Sequence, residues 1–238
     1  MSLALYKKKR SFNKTPEPEG KKKSSYKKAR PDEPVGRGLK FVVQKHDATN
    51  LHYDFRLEME GVLKSWAVPK GPSMNPQDKR LAMMVEDHPY DYRNFEGTIP
   101  AGNYGAGTVM VWDEGIYDAM EHEEEPVKTQ EKVLVGELKK GDLKVVLHGE
   151  KLKGAFALVK MKGRGENAWL LIKKNDEEAS RTDIIKKDKS VKTNRTLNQI
   201  AEAEGGTVKK RSSTKKKKPA PLLLHESTGE PVKKNSRQ

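Results

Sequence analysis

Residues 51–58 read LHYDFRLE and alternate strictly between apolar and polar side chains. Because residues two apart on a β-strand share a face, this segment predicts a strand with two different faces. The apolar face, which we expect to build a core, is Leu51, Tyr53, Phe55 and Leu57. The polar face is His52, Asp54, Arg56 and Glu58. A row of imidazole, carboxylate and guanidinium groups indicates a functional face, and the alternative is a solvated face with an incidental Asp–Arg pair.

Similar runs rich in Val, Leu, Phe and Trp recur along the middle of the chain, separated by Gly, Pro and Asp. The predicted strands are 39–46, 51–58, 62–68, 80–87, 107–113, 143–148, 155–161 and 168–174. About eight strands with almost no helix between them predict an all-β protein, an antiparallel barrel or sandwich. Short helices are predicted near 129–139 and 196–203, the second opened by a capping box between Thr196 and Gln199.

The charge of the chain lies at its two ends. The 238 residues carry a net charge of +14, of which residues 1–40 contribute +9 and residues 205–238 contribute +8, leaving −3 for the middle. Lysine runs with Ser and Pro predict disorder at both ends. We therefore expect a partly disordered basic arm (1–38), a barrel domain (39–180), an extension with a short helix (181–204) and a disordered Lys-rich tail (205–238).

Two basic ends around a near-neutral centre favour a polyanionic partner, most simply nucleic acid held through its phosphates. The alternative is that the lysine runs are only solvated tails. The chain contains no cysteine, which excludes disulfide scaffolds, thiolate zinc sites and iron–sulfur clusters. No apolar run approaches the length of a membrane span or a signal peptide, so we expect a soluble, cytoplasmic protein. We also expect a monomer.

A metal site is predicted where the first two strands meet. Gln44 and His46 share a face of the strand over 39–46, and a hairpin turn at 47–50 would place His46 opposite His52, with Asp54 one step along. Two imidazoles and one carboxylate give three ligands with open positions, which suit Mn²⁺, Fe²⁺ or Zn²⁺.

The strand predicted over 80–87 adds further charged groups. Its alternation places Leu81, Met83 and Val85 on one face, and on the other Arg80, Glu86 and His88. The Arg56 and Arg80 guanidinium groups are forks matched to phosphate oxygens. A divalent metal, two arginines and a histidine that exchanges a proton together favour phosphoester hydrolysis.

Several segments of the chain closely resemble the 3′-phosphoesterase domain of bacterial DNA ligase D. They are FVVQKHDATNLHYDFRLEMEGVLKSWAVPKGP (41–72), residues 79–87, EDHPYDYRNFEGTIPAGNYGAGTVMVWDEG (86–115), LHGEKLKGAFALVKMKGRGENAWLLIKK (147–174) and SVKTNRTLNQIA (190–201). The resemblance covers about residues 12–201. It implies a compact eight-stranded β-barrel with a crescent-like groove, and manganese-dependent removal of a 3′-terminal ribonucleoside and then of the 3′-phosphate during non-homologous end joining.

The resemblance also implies roles for individual residues. His46, His52 and Asp54 match metal ligands, while Arg56 and His88 match groups that hold the scissile phosphate, His88 mattering most in the monoesterase step. The further matched active-site positions are Gln44, Arg80, Tyr92, Arg10 and Glu17. The family commonly has Asp where this chain has Ser11.

Two other functions remain open from the residues alone: an iron-dependent oxygenase with a two-histidine, one-carboxylate triad, and a non-catalytic module that binds DNA ends. The resemblance implies DNA 3′ ends as the substrate. Because the chain is too short to include the polymerase and ligase domains of the larger enzymes, we expect a separate ligase and the Ku protein as partners. The GNYGAG segment (102–107) resembles a phosphate loop, but it leads into a predicted strand, which favours a tight turn. Trp66, Trp112 and Trp169 are predicted to lie in the core.

Overall fold

The computed structural model describes residues 2–20 and 38–205. Within them the strands are β1 (Leu39–Asp47), β2 (Leu51–Met59), β3 (Val62–Val68), β4 (Lys79–Met84), β5 (His88–Pro89), β6 (Gly97–Ile99), β7 (Gly107–Ala119), β8 (Asp142–Gly149), β9 (Lys153–Lys160) and β10 (Ala168–Lys173). The α-helices are α1 (Leu3–Lys8), α2 (Val127–Lys140) and α3 (Leu197–Ala203). Two 3₁₀ helices are η1 (Tyr90–Asn94) and η2 (Ile184–Lys186).

Eight of these strands close into an antiparallel barrel. The order β1-β2-β3-β4-β10-β9-β8-β7 returns to its start because β7 also pairs with β1. The two short strands lie outside this ring, β5 paired with β3 and β6 with β7. Closure leaves none of the eight strands as a free edge. The predicted all-β barrel of about eight strands is confirmed.

The β1–β2 hairpin has the predicted register. His46 lies directly opposite His52, and Gln44 lies opposite Asp54. On its other side β1 pairs with β7, and that register shifts between Val43 and Gln44, as at a β-bulge. The polar residues of the two strands are thereby brought onto one wall of the barrel.

The barrel interior is filled by large apolar side chains from all eight strands. Trp66, Trp112 and Trp169 lie in this cluster as predicted, and Phe55 and Tyr53 contribute from the apolar face of β2. Burial of each such side chain stabilises the fold by roughly 1.5–3 kcal/mol. The packed interior therefore fixes the position of strand β2, whose polar side chains point outward.

A second, smaller apolar cluster lies on the outer face of the same wall. Val42 faces this cluster while its neighbours Phe41 and Val43 face the interior. The cluster is completed by Tyr6 of α1 and Tyr92 of η1. Helix α1 was not predicted from the sequence. Its Tyr6 belongs to the same outer cluster as Val42 of β1.

Both predicted helices are confirmed, at Val127–Lys140 and Leu197–Ala203. The capping box of α3 is present, with the Thr196 side chain accepting from the Gln199 backbone and the Gln199 side chain accepting in return. Helix α2 ends at Gly141, which has a φ of 81°. This left-handed conformation is the usual glycine stop of a helix.

The prediction for residues 80–87 was wrong in its length and its faces. Strand β4 ends at Met84, so Glu86 and His88 lie beyond it and do not share a strand face with Arg80. Ala82 is fully buried, whereas Leu81 is 44% exposed, so the inward face is the one opposite to Leu81. The hydrophobic run Leu-Ala-Met-Met carries no alternation that could have selected the face.

The predicted disorder over 21–37 and over 206–238 lies outside the described residues. Among the described residues, no helix is long and apolar enough to cross a membrane. The described part of the arm, residues 2–20, packs on the barrel through contacts between α1 and β5.

Candidate functional site

The side chains of His46, His52 and Asp54 meet at the open end of the β1–β2 hairpin. One ligand atom from each lies within 4.8 Å of the other two. The His46 Nδ1 atom is 3.5 Å from Asp54 Oδ2, and the His52 Nε2 atom is 3.7 Å from Asp54 Oδ1. The structure therefore brings the three predicted ligands together around one point.

Backbone carbonyl groups orient both imidazoles. His46 Nε2 lies 2.9 Å from the carbonyl oxygen of Gly105, and His52 Nδ1 lies 2.9 Å from that of Asn50. A carbonyl oxygen only accepts hydrogen bonds, so these two ring nitrogens carry the protons. The lone pairs then lie on His46 Nδ1 and His52 Nε2, the two atoms that face Asp54. Such outer hydrogen bonds are typical of histidines that bind metals.

Asp54 is buried beside a guanidinium group. Its Oδ2 atom is 3.1 Å from Arg56 Nη2. Burial acts to raise the pKa of Asp54, but the Arg56 guanidinium outweighs it and holds that pKa well below its usual range. The carboxylate is therefore ionised. Two neutral imidazole nitrogens and one carboxylate form a donor set that fits a divalent cation such as Mn²⁺, Fe²⁺ or Zn²⁺.

Arg56 is held on three sides. Its Nε atom donates to Gln44 Oε1 at 2.8 Å, its Nη1 atom to Ser65 Oγ at 2.9 Å, and its Nη2 atom pairs with Asp54. The Gln44 amide in turn donates to the carbonyl oxygens of Tyr92 and Phe95. This network fixes the guanidinium beside the metal-ligand cluster, where it can bind an anionic oxygen.

His88 lies on the far side of Arg56. Its Nδ1 atom is 2.9 Å from the carbonyl oxygen of Glu86, so Nδ1 carries the proton and Nε2 carries the lone pair. The Nε2 atom then accepts from Arg10 Nη2 at 3.3 Å. Burial, Arg56 and Arg10 lower the pKa of His88 well below its usual value. The imidazole is therefore neutral in this arrangement.

The N-terminal arm completes the site. Arg10 Nε donates to Glu17 Oε1 at 2.8 Å, and Tyr92 Oη donates to the same oxygen at 2.9 Å. A second carboxylate, Glu86, accepts from Arg10 Nη1 at 3.2 Å and from Lys9 Nζ at 3.0 Å. The arm thus places a second buried guanidinium next to His88.

The charges of this region balance without a ligand. Apart from the histidines, three cationic side chains here meet three carboxylates. The six residues are Lys9, Arg10, Arg56, Glu17, Asp54 and Glu86. A divalent cation bound to the cluster would leave two positive charges, which a phosphate monoester dianion neutralises.

Arg80 is the one predicted site residue that the structure separates from this cluster. It is two residues from Ala82, which faces the barrel interior, whereas Asp54 projects from the outer face. Its guanidinium pairs with Asp78 at 2.9 Å, and its Nε atom is buried without a hydrogen-bond partner among the described residues. Its inclusion in the site rested on the face that it was predicted to share with Glu86 and His88 and on the resemblance to the family.

Sequence reasoning missed several groups. Glu86 was placed on a polar face but given no function, and Lys9 and Gly105 were not singled out for the site. Lys9 lies in a lysine run without any distinguishing pattern, and Gly105 acts through a backbone carbonyl that no side-chain pattern reveals. Ser11 donates to Asn13 Oδ1 at the surface.

Comparisons with known proteins agree with this geometry. Residues 44–160 match the model of the DNA ligase D 3′-phosphoesterase domain. The chain is 47% identical over 200 residues to the multifunctional non-homologous end joining protein LigD of Pseudomonas aeruginosa, covering 82% of this chain and 22% of that protein. It is 39% identical over 181 residues to LigD of Mycolicibacterium smegmatis, covering 76% of this chain and 22% of that one.

A third relative, the LigD DNA repair protein of Mycobacterium tuberculosis, is 41% identical over 169 residues, which are 71% of this chain and 19% of that protein. The chain therefore spans about a fifth of the length of these relatives. The region matched by the family model contains the three ligand candidates of the hairpin, Arg56, His88 and Tyr92. From the family match and these relatives, this chain belongs to the DNA ligase D 3′-phosphoesterase domain family.

Proposed function

We propose that this protein is a manganese-dependent phosphoesterase that processes DNA 3′ ends in two steps. It first removes a 3′-terminal ribonucleoside to leave a 3′-phosphate, and then removes that phosphate to leave a 3′-OH for end joining. One observation carries the proposal: an ionised Asp54 and two correctly oriented imidazoles lie beside two buried guanidinium groups, Arg56 and Arg10.

The protein side chains divide the work between binding and proton transfer. Arg56 and Arg10 are fixed by their hydrogen bonds and offer preorganised donors to the oxygens of a phosphoester. A bound divalent cation supplies Lewis acidity toward the phosphorus centre and lowers the pKa of attacking water. Gln44 and Tyr92 act on the phosphate indirectly, because they hold Arg56 and Glu17 in place.

His88 changes its role when a phosphate enters. Burial and the two arginines keep it neutral in the free protein. A phosphate dianion between Arg10 and Arg56 would oppose the effect of those cations and raise the pKa of His88. A protonated His88 then donates from Nε2 to a phosphate oxygen, which fits its proposed importance in the monoesterase step.

The proposed substrate and partners are supported by the positive charge of the chain and by the family to which it belongs. Fourteen net positive charges, concentrated in residues 1–40 and 205–238, favour binding to the DNA backbone near the reacting end. The relatives named above are non-homologous end joining proteins, and the product of both steps is the 3′-OH that a ligase requires. We propose that the 3′-OH ends pass to a DNA ligase, and that the Ku protein holds the DNA ends.

The test is an end-labelled primer–template that carries one 3′-terminal ribonucleotide. The metal-stripped full-length protein with Mn²⁺ should convert it first to a 3′-phosphate product and then to a 3′-OH product, with no conversion in EDTA. His52→Ala should abolish both steps. His148→Ala is the matched control, because His148 is an exposed histidine that pairs with Asp118 on the barrel strands, and it should leave both steps unchanged.

Two results would replace the proposal. End binding that survives His52→Ala, with no product formed by the unaltered protein under any divalent metal, would indicate a non-catalytic end-binding module. Oxygen uptake with Fe²⁺ and 2-oxoglutarate, without phosphate release, would indicate an oxygenase that uses the same donor set.

A further inference from the structure

The loop over residues 100–106 connects β6 to β7 and is braced by hydrogen bonds. The backbone N–H of Asn103 donates to the Pro100 carbonyl oxygen at 3.3 Å, and that of Ala106 donates to the Asn103 carbonyl oxygen at 3.1 Å. The Asn103 side chain also donates to the carbonyl oxygen of Lys14 in the arm. Gly105 has a φ of 76°, a conformation that disfavours other residues. The segment is the tight turn predicted from the sequence.

This loop borders the site on two sides. The Gly105 carbonyl oxygen accepts from the metal-ligand candidate His46, as described above. The next residue back, Tyr104, has its ring centroid 5.4 Å from the Arg10 guanidinium carbon. Arg10 in turn contacts His88. The Tyr104 ring therefore lies at the rim, between the metal-ligand cluster and the arm.

Tyr104 differs from the other tyrosines around the site. Tyr6 and Tyr92 are buried in the outer apolar cluster, whereas Tyr104 is 48% exposed and belongs to neither cluster. Its hydroxyl accepts from Lys9 Nζ at 3.1 Å, and the same ammonium lies 4.6 Å from the ring centroid. Core packing does not account for a large aromatic ring on a fixed loop at this rim.

We propose that Tyr104 is a stacking platform for the nucleobase next to the phosphate that enters the site. This inference rests on the proposed function, because it assigns the ring to the same DNA 3′ end. Every base has a π-face, so an exposed aromatic ring binds single-stranded termini with little regard to sequence. Lys9 and Arg10, whose charged groups lie over the ring, supply the positive charge that the adjoining backbone requires.

The first test measures the affinity for a fluorescently labelled primer–template with a 3′-terminal ribonucleotide, by anisotropy in EDTA, where no turnover is needed. Tyr104→Ala should weaken binding about 10-fold or more, the effect of removing one base-stacking contact. Tyr104→Phe keeps the ring and should bind as the unaltered protein does. Lys9→Gln should reduce the dependence of affinity on salt, whereas Tyr104→Ala should leave that dependence unchanged.

Abasic nucleotides show whether the lost contact is to a base. The loss of affinity caused by Tyr104→Ala should disappear when the base on one side of the scissile phosphate is absent. A penalty that persists with either neighbouring base absent, or an unaltered affinity of Tyr104→Ala, would overturn the inference. Tyr104→Ala and the unaltered protein should bind Mn²⁺ with the same affinity. A lower affinity would mean that the substitution displaces Gly105 and His46, which would overturn the inference.

Turnover by the unaltered protein separates this inference from the proposed function. If Mn²⁺ supports conversion of the primer and Tyr104→Ala raises KM with little change in kcat, the phosphoesterase proposal and the stacking inference are both supported. If the unaltered protein forms no product but its affinity depends on Tyr104 and on one base, the phosphoesterase proposal fails and the stacking inference stands. If conversion occurs and Tyr104→Ala has no effect on KM, the stacking inference alone fails.

Discussion

The β1–β2 hairpin and the N-terminal arm build two halves of one site by different means. In the hairpin the ligand candidates His46, His52 and Asp54 are separated by only a few residues, and strand register brings them together. In the arm, Arg10 reaches Glu86 and His88 across 76 and 78 residues of sequence. Local pairing thus creates the half with the metal-ligand candidates (the metal half), and long-range packing creates the half that we propose helps to bind phosphate (the arm half).

This difference predicts separable defects. Changes in the hairpin should remove metal binding and therefore all activity. Changes in the arm should leave metal binding intact and weaken the handling of phosphate, with a cost in stability because the arm's ion pairs are buried.

The largest effect is expected from Asp54→Ala. It removes the only carboxylate of the ligand cluster and leaves Arg56 without its anionic partner. We expect a loss of activity of about 1,000-fold or more and loss of stoichiometric Mn²⁺ binding, measured by primer conversion and by calorimetry. Asp118→Ala, which removes the partner of His148 elsewhere on the barrel, is the control. Equal metal affinity in the two variants would contradict the assignment of the hairpin.

A smaller loss is expected from Glu17→Ala. It removes the oxygen that binds both Arg10 and Tyr92, so the arm loses its fixed position. Activity should fall about 100-fold, and the free energy of unfolding by about 2–3 kcal/mol, while Mn²⁺ affinity is retained. Primer conversion, denaturant unfolding and calorimetry measure the activity, the free energy of unfolding and the Mn²⁺ affinity, respectively.

The matched control for that variant is Glu19→Ala. Glu19 pairs with Lys7 on the same arm, but both side chains are exposed, so stability and activity should stay the same. A fall in Mn²⁺ affinity for Glu17→Ala would mean that the two halves of the site are not separable.

Removal of residues 205–238 should affect neither half. The deletion takes away ten Lys and Arg residues against two acidic ones. Affinity for DNA should fall about 10-fold at low salt and depend less steeply on salt concentration, while the rate on saturating substrate is unchanged. Substitution of Lys215–Lys218 by glutamine should reproduce part of the effect. Identical affinity at low salt would refute a DNA-binding role for this segment.

The smallest effect concerns the pH dependence of stability. The pKa of His88 is lowered in the folded protein by burial and by Arg56 and Arg10, so the unfolded chain binds a proton that the folded protein rejects. The stability that depends on neutral His88 should therefore be lost as pH falls below about 6.5. The free energy of unfolding of His88→Gln should depend less on pH between 7.5 and 5.5 than that of the unaltered protein, both measured in EDTA. Parallel curves would contradict a neutral, buried His88.

The metal half could be predicted from sequence because its information is local. Alternation in residues 51–58 and a short turn are enough to place His46 opposite His52. The same reasoning failed at β4, where an unbroken apolar run after Arg80 gave no alternation to distinguish the inward face.

The arm half could not be derived from local pattern. Helix α1 is six residues long, and it is held on the barrel by Tyr6 and by the ion pairs of Arg10 rather than by a recognisable amphipathic repeat. Arg10 and Glu17 were placed in the site only by resemblance to the family. Their contacts with Glu86 and Tyr92 depend on how the completed barrel positions η1 and the segment after β4.

Anomalous diffraction from a crystal of this protein soaked in Mn²⁺ tests the central claim most directly. We predict one strong peak at about 2.2 Å from His46 Nδ1, His52 Nε2 and a carboxylate oxygen of Asp54. A peak bound instead through His46 Nε2 or His52 Nδ1, or a metal held away from these three side chains, would contradict the account.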